Sequence, residues 1–145
     1  MENTKNNILV SACLLGVECR YDGKGSLSEQ VTSLQGKYNL IPVCPEMLLG
    51  GVSPREPVEL INGRAIDKYG KDYTEHFIKG ANEVLRIARL HNCKVAILKS
   101  NSPSCGSNRI YDGTFSHTII SGDGITAELL KKNGINVMDE KSIKL

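Results

Sequence analysis

Four short apolar runs, none longer than five residues, set the outer limits on how this chain can fold: residues 8–12, 40–43, 95–98 and 135–138. Runs of this length suit buried strands and are too short for core-spanning helices. Helical signals fill the stretches between them. Ser26 is placed to cap a helix over 27–34, with Glu29 completing a capping box and Gly36 past its end. Residues 72–90 carry Tyr73, Phe77, Ala81, Val84 and Ala88 at three- and four-residue spacing, an apolar stripe for packing on a sheet. Gly80 interrupts that helix at about 1 kcal/mol relative to alanine, which close packing against a strand would explain. A last helix is expected over 123–132, opened by Gly122-Asp123-Gly124 and closed by Gly134.

Strands alternating with helices imply right-handed crossovers and a mainly parallel sheet. Asn62-Gly63 lies between 58–60 and 64–66 and predicts a small hairpin beside it. Residues 118–120 offer one more strand. The chain has 145 residues, with 40% hydrophobic and 23% charged, and contains no repeat, low-complexity tract or linker. The expected fold is an α/β, three-layer, Rossmann-like single domain over 1–145.

Net charge is +2 without a basic run, so neither extended nucleic acid nor an anionic membrane is expected as partner. Val10-Ser11-Ala12-Cys13 resembles a lipoprotein cleavage box, but the apolar stretch before it is too short for a signal. Five cysteines, an odd number, argue against a disulfide framework. A reducing cytoplasm is the expected compartment.

Three of those cysteines fall where predicted strands end. Cys13 closes the first run and Cys44 the second, and Cys105 lies in the turn after the third. Open α/β sheets bind ligands at the carboxyl ends of their strands, so three thiolates delivered to one edge would make a metal site with an unfilled position. Free cysteines also pack as small hydrophobes. Three in matching turns favour a shared site. A soft thiolate set suits an iron–sulfur cluster, zinc or cuprous copper. Cys19 follows Cys13 closely and is a candidate fourth ligand; Cys93 reads as packing.

Polar residues cluster in the same loops. Glu46, two residues past Cys44, could move protons beside a metal, or be a solvated loop glutamate. Asn101, Ser102 and Ser104 bracket Cys105, as ligand-binding groups or as ordinary turn formers. Arg20, Asp22 and Arg55 lie in loops on the same presumed edge, and either arginine could hold a carbonyl or phosphate. The long loop over 46–57 contains Gly50, Gly51 and Pro54, and long loops in compact chains are often functional. Gly122-Asp123-Gly124 could present N–H groups to an anion or simply be capped by Asp123. His76, His91 and His117 show no ligand spacing and read as structural or surface residues.

In order along the chain stand Ser11-Ala12-Cys13-Leu14-Leu15-Gly16, Arg20-Tyr21-Asp22-Gly23, Cys44-Pro45-Glu46, Gly50-Gly51, Pro54-Arg55, Ser102-Pro103-Ser104-Cys105-Gly106 and Gly122-Asp123-Gly124-Ile125-Thr126-Ala127. Together these motifs, between about residues 8 and 138, resemble the bacterial family that includes the thiouracil desulfidases. The resemblance implies a [4Fe-4S] cluster held by Cys13, Cys44 and Cys105, with one iron not bound by protein. It also implies a thiolated base or nucleoside as the small-molecule substrate, hydrolytic release of its sulfur, and catalytic roles for Glu46 and Ser102. Position 19 is often aliphatic in the family, so the resemblance does not make Cys19 a ligand.

Overall fold

A computed structural model describes residues 6–48 and 53–145. Strand β1 (Asn7–Ser11) runs into a 3-10 turn (Ala12–Leu15), then come helix α1 (Glu29–Thr32) and strand β2 (Asn39–Val43). The hairpin β3 (Val58–Ile61) and β4 (Arg64–Asp67) precedes helix α2 (Thr74–Leu90). Strands β5 (Val95–Leu98), β6 (Arg109–Tyr111) and β7 (Ile119–Ser121), helix α3 (Ile125–Lys132) and strand β8 (Asn136–Asp139) complete the chain.

The main sheet has the order β2-β1-β5-β8 and is parallel throughout. Its side chains alternate between two apolar layers, as period-two geometry requires. Leu9, Ala96 and Leu98 face Val84, Leu85 and Ala88 of α2 and Ala127 and Leu130 of α3. Ile8, Val10 and Ile97 face Leu14 and Val31 on the opposite side. Both faces are therefore covered, as a parallel sheet demands. The chain moves from β1 outward to β2, then returns to place β5 on the other flank of β1. The carboxyl ends of β1 and β5 thus form a topological switch point, where such sheets open a crevice.

The expected strands are present with small shifts. β1 ends one residue early because Ala12 already belongs to the 3-10 turn. The asparagine–glycine hairpin forms as expected: Asn62 and Gly63 both adopt left-handed backbone, with φ of 51° and 79°.

The capping box at Ser26 does not form. The N–H groups of Ser26 and Ser28 donate to the carbonyls of Cys13 and Leu14, which keeps the segment extended past Ser26. The helix waits for Ser28, whose hydroxyl accepts from Val31 N–H at 3.3 Å.

α3 is not capped by Asp123 either. The carboxylate of Asp123 accepts from Asn108 N–H at 2.7 Å and from Lys131 Nζ at 2.8 Å. The first N–H groups of α3, on Ile125, Thr126 and Ala127, donate to the carbonyls of Pro103 and Ser104. No helix terminus is left for an anion there; its N–H groups hold the Cys105 loop instead.

Candidate active site at the sheet edge

A cavity of about 360 Å³ opens at the carboxyl edge of the sheet. That volume falls within the range of small-molecule sites. Its walls include Cys13, Cys19, Cys44 and Cys105, with Glu46, Arg55, Asn101 and Ser102. Each thiol arrives from a different backbone feature. Cys13 sits in the 3-10 turn after β1, and Cys44 is the residue after β2. Cys105 lies in the loop after β5, folded by Ser102, whose Oγ accepts from the N–H groups of Ser104 and Cys105, both at 3.1 Å.

Cys19 stands inside this set. Its thiol makes hydrogen-bond contact with those of Cys13 and Cys44, and its carbonyl accepts from Cys44 Sγ at 3.8 Å. The Cys13 hydrogen bond holds the Cys19 thiol above its ordinary pKa, helped by burial. The Cys44 thiol is raised by its Cys19 contact and by burial. Burial pushes Cys105 up to about 12, despite hydrogen bonds with Ser11 and Ser102. Burial makes the thiols of Cys19, Cys44 and Cys105 costly to ionise, although the charge of Arg55 favours the Cys19 thiolate. A bound cation changes that, because a coordinating thiol is deprotonated by its metal.

The donor chemistry decides what fits. Although Cys19 touches Cys13 and Cys44, no group of three or more Cys, His, Asp or Glu side chains among the described residues has the arrangement to hold a single metal ion. A mononuclear zinc site needs such convergence. An iron–sulfur cubane does not, since each thiolate binds its own iron. A set made wholly of soft sulfur donors around one cavity suits the polynuclear group.

Glu46 lies over the thiols, its side chain mostly buried. Burial raises its carboxyl pKa, while Arg55 Nε at 3.3 Å pulls it down; the net direction is up. Glu46 therefore keeps its proton to higher pH than a solvated glutamate. Arg55 spans the site: Nη1 donates to the carbonyl of Cys19 at 2.9 Å while Nε holds Glu46. The guanidinium tethers the loop of Cys19 to the loop of Glu46. On the other flank, Lys99 N–H donates to Ser11 Oγ, and Glu140 accepts from Ser100 N–H and Oγ. These bonds pin the turn that leads to Asn101 and Ser102.

Most of the residues singled out from the sequence meet here, with two corrections. Arg20 lines the cavity and Asn101 does so with a left-handed φ of 67°. Ser104 does not: it is 1% exposed, tucked beneath the loop, and its hydroxyl has no partner among the described residues. Its carbonyl is needed by α3, which turns this residue inward. Asp22 is absent from the walls as well; its carboxylate closes the local turn on Lys24 N–H at 3.0 Å and pairs with Arg20 at 3.8 Å. Gly50 and Gly51 lie outside the described residues.

The sequence reading missed another part of the wall. Glu59, Lys68, Lys99, Tyr111, Phe115 and His117 also line the cavity. His117, expected to be structural or surface, is exposed and stands at the cavity's edge. β6 carries no legible strand signal, and only its pairing with β7 brings Tyr111 and His117 to the site.

A parallel α/β sheet with a thiol-lined pocket at its switch point defines an α/β ligand-binding scaffold. The chain belongs to the 2-thiouracil desulfurase family, whose model matches residues 8–142. It is 43% identical to the uncharacterized protein YbbK of Bacillus subtilis (strain 168), over 94% of this chain and 97% of that protein. Its fold matches the solved structure of the [4Fe-4S]-dependent thiouracil desulfidase TudS with a TM-score of 0.89. That match has 38% identity and covers 94% of this chain and 92% of the other.

Proposed function

We propose that this protein is a desulfidase of thiolated pyrimidines, acting on thiouracil or thiouridine. It exchanges the thiocarbonyl sulfur for oxygen from water: thiobase plus water gives the oxo base plus hydrogen sulfide. The observation that carries this reading is the meeting of Cys13, Cys44 and Cys105 with the buried carboxyl of Glu46 on one cavity. Family membership and the likeness to TudS support it.

Cys13, Cys44 and Cys105 would hold a [4Fe-4S] cluster that leaves one iron without a protein ligand. When bound, such a cluster supplies a thiophilic Lewis acid for the C=S group. Glu46 holds a proton at the reacting face; it can pass that proton to the ring or take one from the attacking water. Ser102 presents its hydroxyl from the same loop as Cys105 and orients the base or the water. Arg55 fixes the position of Glu46 and keeps its proton mobile. The whole chain would act as one domain in a reducing cytoplasm. The cavity admits a small molecule and suits neither extended nucleic acid nor lipid.

A second reading follows from the place of Cys19. Its thiol touches those of Cys13 and Cys44, so it could close the set as a fourth ligand, leaving a redox or structural cluster. Anaerobic reconstitution with iron and sulfide separates the two. The desulfidase reading expects about four irons per chain, a visible spectrum that changes with 2-thiouracil, and release of sulfide. A spectrum indifferent to 2-thiouracil, with iron lost in Cys19→Ser, would establish the closed site.

A further inference from the structure

The thiols and Glu46 account for one side of the chemistry but not for recognition of a flat ring. Planar heterocycles are held by the faces and edges of aromatic side chains. The chain contains only 2 Phe and 5 Tyr, and no Trp. Yet Tyr111, Phe115 and His117, all from the β6–β7 hairpin, line the cavity that takes the cysteines. Tyr111 and His117 meet edge to face, with ring centroids 5.8 Å apart and planes at 79°.

The loop that presents them is tightly constrained. Gly113, Phe115 and His117 all adopt left-handed backbone, with φ of 91°, 59° and 62°. Two of these are bulky side chains in a region they rarely occupy, and such outliers persist only where their surroundings impose them. The constraint comes from Glu59. It is buried at 8% exposure in β3 and far away in sequence, and its Oε1 accepts the N–H groups of both Gly113 and Phe115 at 3.0 Å. Those two bonds straddle Thr114 and set the loop's curl. Gly113 is pressed on the same strand, where a Cβ would come within 2.7 Å of Ile61 Cγ1. A chain of hydroxyls, Thr114 to Ser116 to Thr118, stiffens the outer side. A buried carboxylate that only stapled a hairpin could face away from the pocket. Glu59 itself lies on the cavity wall.

We infer that the β6–β7 loop is the base-recognition element, with Phe115 and His117 touching the pyrimidine ring and Glu59 as the positioning residue that holds them. The inference rests on the desulfidase reading for the identity of the ring. Glu59 acts through the loop: without its acceptor the two N–H groups lose their partner and the rings lose their place.

The test uses reconstituted holoenzyme with 2-thiouracil as substrate, and calorimetric binding of uracil as a readout that needs no turnover. Glu59→Ala and Phe115→Ala are each expected to raise KM and the uracil dissociation constant about tenfold, with kcat and iron content held. Glu59→Gln keeps an oxygen that accepts both N–H groups and should recover most of the loss. Unchanged KM and uracil affinity in either alanine variant, or a fall in kcat alone, overturns the inference. Should Glu59→Ala fail to fold, Phe115→Ala decides by the same criteria. Wild-type protein that binds uracil but desulfurates no thiobase would sink the desulfidase reading while leaving the ring site to be judged by binding. Active wild type with unchanged variants sinks only the inference.

Discussion

The α-carbon of Gly80, midway along α2, rests against the carbonyl of Pro45 in the turn between Cys44 and Glu46. A Cβ at that point would overlap the carbonyl oxygen and come within 3.1 Å of the carbonyl carbon. The backbone of the Cys44–Glu46 turn is thus seated on the helix, with no side chain between.

Gly80→Ala should therefore be harmful although alanine is the better helix former. The propensity gain is about 1 kcal/mol, whereas forcing backbone apart in a packed interior costs about 1–3 kcal/mol. A net loss of stability is expected in urea unfolding, together with slower desulfuration as Glu46 is displaced. A more stable variant with unchanged activity would show that the turn can move.

Substituting the strand-end cysteines should separate their roles. Cys13→Ser, Cys44→Ser and Cys105→Ser are each expected to fall well short of about four irons per chain after reconstitution. Cys19→Ser should keep its iron, because three thiolates suffice in the proposed site. Iron counts on the four variants in parallel decide it.

Glu46→Gln preserves shape and removes the titrating proton. General acid–base groups contribute roughly 10²–10⁴-fold, so kcat should drop by that order while iron content and spectrum stay as in wild type. An undiminished kcat would remove Glu46 from the proton path.

Asp72 gives a pH dependence remote from the cavity. Hydrogen bonds from the Thr74 hydroxyl and backbone, then Arg64, lower its pKa to about 2. Because the folded-state value lies below the unfolded one, its stabilisation is present above the unfolded pKa near 3.8 and is lost as pH falls toward 2. The group is exposed, so the effect is small and weakens with salt. Asp72→Asn should be slightly less stable than wild type at pH 6, with the two curves converging near pH 2. Equal stability at both pH values would place the lowered pKa outside the folding equilibrium.

The strand-end cysteines were legible because each apolar run stops at a turn former, and a parallel sheet brings all such ends to one edge. Glu46 was legible for the same reason. Glu59 was not: it sits between Val58 and Leu60 as one polar residue in a short strand, and its partners Gly113 and Phe115 are set by contacts that no local pattern encodes. Ser104 was misplaced because turn chemistry names the residue types but not which hydroxyl faces the ligand. Neither alternative offered for Gly122-Asp123-Gly124, an anion site or a cap by Asp123, is realised, because Asn108 and Lys131, which take the Asp123 carboxylate, are met only in the folded chain. Local signals located the elements and their ends. Long-range hydrogen bonds chose which side chains point into the cavity.

The parallel order β2-β1-β5-β8 also gathers segments that lie far apart along the chain. Cys13 and Cys44 follow β1 and β2, which pair directly, and Cys105 joins them only where β5 lies on the other flank of β1, so the full set of three requires three strands drawn from distant parts of the chain. In the proposed site, a cluster would be held by side chains that only the docked strands bring together. Such a cofactor would act as a clasp that binds three distant segments and resists their separation.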